Sequence, residues 1–424
     1  MNSKPVFLIA FLFLASISSV TLEAQSVEAS GTVYIRADGS IDPPTAPIST
    51  LDNVTYILTG NITSDVQGIG VERDNIIIDG AGYTLQGIGA SVGIYLTTRR
   101  NVTIKNMEIK GFNYGIYLRL YSAYNTVSGN TIIENDYEGI RLSGSSNNII
   151  YGNTIENDYE GISLDGSSNN IIYGNTITNN NDLGIYFRSS SNNSISGNTI
   201  INSENGIYFY IFSNNNSISG NTIRDNNECG IISYDPYENN NNSFVGNTIA
   251  NNRDGIFLSS SSNNTIISGN RIVNNSGCGI CLPSYNNSVL GNTIANNGKG
   301  IWFFLSSNNT ICNNNFVDNT QQVYDYSWEN PNYPSSVNLW DFGYPLGGNY
   351  WSNYTGVDSD HDGIGDTPYV IDANNTDHYP LMISYIIPEF PSFLVLPLFM
   401  IAALLAFTAF RRKRAKLSRA ASVS

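Results

Sequence analysis

Gly174-Asn175-Thr176-Ile177 is one of seven copies of the same phrase in the middle of this chain. The others are Gly129–Ile132, Gly152–Ile155, Gly197–Ile200, Gly220–Ile223, Gly246–Ile249 and Gly291–Ile294, with Gly-Asn-Arg-Ile at Gly269–Ile272. Successive glycines are 23, 22, 23, 23, 26, 23 and 22 residues apart. A period this constant marks one structural unit stacked on copies of itself. Working outward, Asn313 takes the glycine position downstream, and Asn106, Gly82 and Gly60 take it upstream. This predicts about twelve coils between Gly60 and Asn313.

Each unit holds three short apolar pieces. One follows the Gly-Asn turn, as in Thr176-Ile177. A second follows a lone glycine, as in Gly139-Ile140-Arg141-Leu142 and Gly184-Ile185-Tyr186-Phe187. A third follows an asparagine pair, as in Asn170-Ile171-Ile172. In the second piece large apolar residues sit two apart, which is strand periodicity with one face in and one face out. Gly and Asn punctuate every piece, and none is long enough for a helix. Three strands per ~23 residues predict an all-β, right-handed parallel β-helix, a pectin-lyase-like solenoid. A leucine-rich repeat would need a different leucine spacing, and a propeller about twice the period. Asn130, Asn153, Asn175, Asn198, Asn221, Asn247, Asn270 and Asn292 fall in one column, where stacked amides can hydrogen-bond along the axis. Asparagine also tolerates the left-handed backbone of a sharp corner.

The 424 residues carry a net charge of -15, and only 13% are charged. A polyanion such as nucleic acid is an unsuitable partner, whereas a cation or a neutral glycan suits such a surface. Lys4 followed by the apolar run Val6–Ile17 and the small residue Ala24 reads as a signal peptide over 1–24. Phe393–Phe410 followed by Arg411-Arg412-Lys413-Arg414 reads as a transmembrane helix with a basic cytoplasmic stop. The expected organisation is an N-terminal cap at 25–52, β-helix repeats at 53–320 and a C-terminal cap at 321–384. A sorting motif and transmembrane helix at 385–410 and a basic tail at 411–424 follow. The middle of the chain is then a monomer anchored on the outer face of the cell membrane. Asn-x-Ser/Thr sequons such as Asn53, Asn101, Asn215 and Asn286 agree with an exterior, glycosylated protein.

Two parts of the chain resemble known groups. Pro388-Glu389-Phe390-Pro391 before the apolar segment resembles the PEF-type sorting signals of archaeal surface proteins. The Asn-Asn-x-Ile/Gly-Asn-Thr-Ile coils resemble the NosD-like β-helix family. So do the opening Glu72-Arg73-Asp74-Asn75-Ile76-Ile77-Ile78-Asp79-Gly80-Ala81-Gly82 and the closing Gly347-Gly348-Asn349-Tyr350-Trp351-Ser352-Asn353-Tyr354. The resemblance covers about Val33 to Leu381. It implies the β-helix fold, which carbohydrate-binding and sugar-cleaving proteins share, and copper-site maturation as a possible role. Copper sites gather His, Met or Cys. This chain has only His361 and His378, and between its two ends only Met107 and Met382, so copper is not expected.

Four constellations are candidates for function. Asp358-Ser359-Asp360-His361-Asp362-Gly363-Ile364-Gly365-Asp366 has the spacing of a calcium loop. Asp358, Asp360, Asp362 and Asp366 would give side-chain oxygens and Ile364 its carbonyl. Tyr369 stands where an EF-hand has glutamate, so the loop is closer to dockerin-type repeats, with Asp372 a further ligand and Ca2+ ordering the C-terminal cap. Glu138, Glu160, Asp182, Glu204, Glu228 and Asp254 form a row of acids beside the second strand. With Arg141 and Arg188, Glu138 and Glu160 could serve a lyase, hydrolase or epimerase. Tyr95, Tyr117, Tyr186, Tyr208, Phe257 and Trp302 hold the outward position two after the second-strand glycine, where rings can stack on sugars. Cys278-Gly-Ile-Cys281 lies along a strand, where residues three apart should face opposite ways about 10 Å from each other, so these cysteines are not expected to act together. The reading that follows is a surface-anchored β-helix that binds glycan without catalysis, with a polysaccharide-cleaving or epimerising enzyme and a copper-maturation factor as alternatives.

Overall fold

The computed structural model describes residues 31–234 and 238–385. The expected signal peptide, the Pro388–Pro391 motif, the Phe393–Phe410 segment and the basic tail lie outside the described residues. Among the described residues, no helix is long and apolar enough to cross a membrane.

The chain winds into a right-handed parallel β-helix of about 12 turns. Each coil contributes two strands to a long sheet and one to a second, 13-stranded sheet. Coils pair in register. The isoleucine of the repeated phrase runs Ile132, Ile155, Ile177, Ile200 and Ile223 along one parallel ladder, and every one is fully buried. Ile140, Ile162, Ile185 and Ile207 form a second such stack, and Ile150, Ile172, Ile195 and Ile218 a third, on the other sheet. A β-branched chain packs well on a pleated surface, and a fully buried isoleucine contributes about 1.5–3 kcal/mol. The core is therefore a repeated, additive element.

The asparagines close the corners. Asn153 Oδ1 accepts from both the backbone N and the Nδ2 of Asn130, each at 3.0 Å, and Asn153 Nδ2 donates to Val127 O. The pattern continues rung by rung through Asn175 and Asn198 to Asn314 and Asn349. Two further ladders run beside it, one through Asn125, Asn148 and Asn170 and one through Asn226, Asn252 and Asn275. A buried corner has no water for its amides, so these bonds satisfy groups that would otherwise be orphaned. The ladder asparagines do not themselves take the left-handed backbone. The residue before the rung does through the repeated coils: Gly152 and Gly174 before the first ladder, Asn147 and Asn169 before the second. Asn106 and Asn313, standing in for glycine, adopt the same positive φ.

Both ends of the rod are covered. Val33–Ile35 pairs with Ile69–Val71 at the first coil. At the other end Trp351 stacks between Phe316 at 4.4 Å and Tyr369 at 4.2 Å. Its indole N donates to the buried Asp377. Such caps remove the open strand edges that a solenoid would otherwise present.

Candidate functional site

The second strand of each coil reverses its in-out phase at the glycine. Gly139 and Ile140 both face inward. A Cβ on Gly139 would meet Ile155 Cγ2 at 2.6 Å, and Ile140 is fully buried. The interstrand register skips the glycine, passing from Glu138↔Glu160 to Ile140↔Ile162. Two consecutive inward residues bring the residue before the glycine and the residue two after it to the same outer face. Each coil thus presents a pair at i and i+3: Glu138 with Arg141, Glu160 with Ser163, Asp254 with Phe257, Cys278 with Cys281.

This geometry corrects the expectation for the cysteines. Cys278 and Cys281 point the same way, their Cα atoms are 5.8 Å apart, and they form a disulfide. The phase reversal at Gly279 shortens the distance an ideal strand would impose. It also divides the row of acids. Glu138, Glu160 and Asp254 precede the glycine directly, whereas Asp182, Glu204 and Glu228 stand one residue earlier and continue a neighbouring column.

The column two after the glycine runs Tyr95, Tyr117, Arg141, Ser163, Tyr186, Tyr208, Ile232, Phe257, Cys281, Trp302 and Tyr324 in unbroken parallel register. Its six predicted aromatic residues are half-buried, so rings lie along the sheet with one face or edge outward. Tyr95 and Tyr117 are 5.7 Å apart, and Tyr186 and Tyr208 6.0 Å.

Between these tyrosine pairs sits a charged centre. Glu138 is only 6% exposed. Its Oε1 accepts from Arg141 Nη1, and its Oε2 has no partner. Burial raises the Glu138 pKa, with Arg141 opposing. One coil along, Glu160 is pushed up to about 7, first by burial and then by the charge of Glu138, while a hydrogen bond with Ser163 opposes this. Its Oε2 is also unpartnered. The Arg141 guanidinium lies 5.5 Å from the ring centroids of Tyr114 and Tyr117, and Asp165 sits between Arg141 and Arg188 at 3.9 Å from each. Burial and Glu160 raise the Tyr186 hydroxyl pKa.

The calcium-like loop lies far along the chain, in the cap. Carboxylate oxygens of Asp358, Asp360 and Asp362 converge within 4.8 Å. Asp366 lies outside this group and closes the loop on itself, its Oδ2 accepting from the backbone N of Ser359. Ile364 bridges to Leu381, and Asp372 holds Asn375 in the hairpin. A cavity of about 460 Å³ lies nearby, lined by Gln322, Tyr369 and Ile371, and contains none of the predicted ring, acid or metal residues.

The family model of the periplasmic copper-binding protein NosD matches residues 184–356, and that of the right-handed β-helix region matches residues 49–163 and 92–240. Together these matches support a NosD-like right-handed β-helix family. No curated protein matches the sequence. Among solved structures, the A-module of the mannuronan C-5 epimerase AlgE6 of Azotobacter vinelandii superposes with a TM-score of 0.51 at 15% identity, over 66% of this chain and 89% of that one. The Dettilon tailspike protein gives 0.47 at 17% identity, over 70% of this chain and 60% of the other. The AlgE6 likeness establishes the pectin-lyase-like fold of this NosD-like protein and nothing about its chemistry.

The sequence reading missed several residues of the NosD-like sheet face. Tyr114 and Tyr137 pack beside Tyr117 and Arg141, with Tyr114 ring centroids 5.3 Å from Tyr117 and 5.5 Å from Tyr137. Tyr210 flanks Tyr186 and Tyr208. Tyr324 extends the column although Gln322 replaces the glycine. A search of the position directly before the glycine, on the assumption of the phase reversal, would have found Tyr114.

Proposed function

We propose that this NosD-like β-helix binds a polysaccharide chain lengthwise along the outward face of its long sheet. The observation that carries the reading is the pair of tyrosine clusters on one straight ladder, either side of Arg141 and Ser163. Parallel coils space these rings at multiples of ~4.8 Å, close to the repeat of an extended sugar chain, and half-buried tyrosines lose little freedom when they stack. Arg141 and Ser163 would supply polar contacts to hydroxyl or carboxylate groups. The protein would act outside the cell, bound to the membrane by its C-terminal segment, with Ca2+ held by Asp358, Asp360 and Asp362 to order the cap. The test is binding of the purified protein to a panel of neutral and acidic polysaccharides, with and without Ca2+. Tyr186→Ala and Tyr208→Ala should each weaken binding about tenfold, the size expected of a buried ring anchor. No binding to any member would defeat the reading.

The unpartnered oxygens of Glu138 and Glu160 favour a second reading, an acid–base reaction on the bound chain. A carboxyl poised near neutrality beside an arginine can give or take a proton. The alternative predicts new reducing ends, unsaturated uronate or changed uronate configuration. Glu160→Gln should abolish these while binding persists.

The family description also raises copper. Among the described residues, neither histidine joins a group of metal donors, and His378 is held by Asp341. Met107 is buried in the core. Among the described residues, the only sulfur-containing group of metal donors is Asp254 with Cys278 and Cys281. With its sulfurs joined it offers a single carboxylate, so in this disulfide form the donor set does not fit copper.

A further inference from the structure

The reduced form of this cysteine pair is a different matter. Cys278 and Cys281 share the outer face of one strand, and both are at least 95% buried. Asp254 lies one coil away in the column of Cys278. Its Oδ1 accepts from the Cys278 backbone N at 2.8 Å and stands 3.2 Å from Cys278 Sγ. One potential donor atom from each of the three residues falls within a 4.8 Å group. Metal sites need this convergence, and the parallel register builds it: Gly279 reverses the strand phase for the two sulfurs, and the ladder brings in the carboxylate. Arg253 holds the other Asp254 oxygen at 3.1 Å, which fixes the carboxylate and leaves Oδ1 toward the sulfurs. Cys229 lies in register with Asp254 on the far side, outside the group.

We propose that Cys278, Cys281 and Asp254 form a redox-gated site for a soft d10 cation. A small dithiol opens it: the dithiol becomes a cyclic disulfide, the Cys278–Cys281 bond breaks, and each sulfur takes one of the two protons released. Binding of the cation then displaces those protons and forms two metal–thiolate bonds, with Asp254 Oδ1 as the third ligand. Thiolate sulfur selects soft metals over Ca2+ and Mg2+, and a nearby carboxylate offsets part of the cation charge. Oxidation closes the site by joining its two strongest donors.

Cd2+ is the probe, because its thiolate complexes absorb in the ultraviolet. Thiol titration in denaturant should rise from Cys229 and Cys312 alone to all four cysteines after dithiol treatment and its removal. The reduced protein should bind one more Cd2+ per chain than the oxidised protein by native mass spectrometry, with a thiolate-to-metal band that the oxidised protein lacks. Cys278→Ser and Cys281→Ser should each abolish the band. Asp254→Asn should weaken binding at least tenfold, and Cys229→Ser should leave it unchanged. Unaltered far-ultraviolet dichroism must accompany each result. The proposal is overturned if the reduced, folded wild type shows no Cd2+–thiolate band, if the band survives Cys278→Ser but fails in Cys229→Ser, or if reduction itself unfolds the rod.

Discussion

Replacing Asp158 by asparagine should stabilise the protein, and only above acidic pH. Asp158 occupies a rung of the third ladder. Its Oδ1 accepts from the backbone N and Nδ2 of Asn135 at 2.7 and 3.0 Å, and its own N donates to Asn180 Oδ1 at 3.1 Å. Its Oδ2 lies against Gly139, where other rungs direct an amide Nδ2 toward the matching glycine, and it has no partner. The side chain is fully buried. Burial pushes its pKa up to about 8 from the ordinary carboxyl value of 3.8, with the Asn135 bonds opposing. Asp158 is therefore held as a neutral acid that imitates an amide. Because the folded pKa is raised, the folded state binds more protons than the unfolded state between the two values. Stability is complete below the unfolded pKa and falls as pH rises toward the folded one, by about 1.4 kcal/mol per pH unit. At pH 7 the deficit relative to a neutral side chain is on the order of 4 kcal/mol. Solenoids unfold in segments, so the assay is hydrogen exchange of the amides at 131–187, with urea midpoints, for wild type and Asp158→Asn at pH 4 and 7.5. The variant should be markedly more protected at pH 7.5 and nearly equal at pH 4. Equal gains at both pH values, or a loss at pH 7.5, would refute a neutral buried acid.

Three further outcomes follow from the same geometry. Asn198→Ala removes the acceptor of Asn175 N and Nδ2 and the donor to Ile172 O. It should cost about 3 kcal/mol, read as a lower urea midpoint, since orphaned buried groups are expensive. Gly184→Ala would put a Cβ 2.5 Å from both Gly206 O and Ile200 Cγ2. The backbone oxygen cannot yield, so about 2–3 kcal/mol of overpacking should appear in the same measurement. If Ca2+ orders the cap, chelation should speed hydrogen exchange at 358–366 and leave 131–294 unchanged. Equal exchange with and without chelator would remove Ca2+ from the account.

The fold was legible because a solenoid writes its period directly into the chain. Gly174-Asn175-Thr176-Ile177 encodes a left-handed corner, a ladder rung and a buried stack in four residues. Even the stand-ins Asn106 and Asn313 were readable, since asparagine is the other residue that accepts positive φ readily. What a one-dimensional pattern carries poorly is the phase of the strand after the corner. Simple alternation gives the outward tyrosines correctly, because they lie on the regular side of the glycine. It fails for the residue just before it, and so mispredicted Cys278 against Cys281 and merged two columns of acids into one. A fully buried Ile140 beside an inward glycine is the physical cause: the glycine lacks the side chain that would force alternation, and the next coil's carbonyl fills its place. The outward pairs created there hold Glu138 with Arg141, Glu160 with Ser163, and Cys278 with Cys281. The residues with the richest chemistry on this face therefore owe their proximity to a position that carries no side chain. Widening that position with a methyl group would press first on the core and, through it, on every candidate site of the sheet.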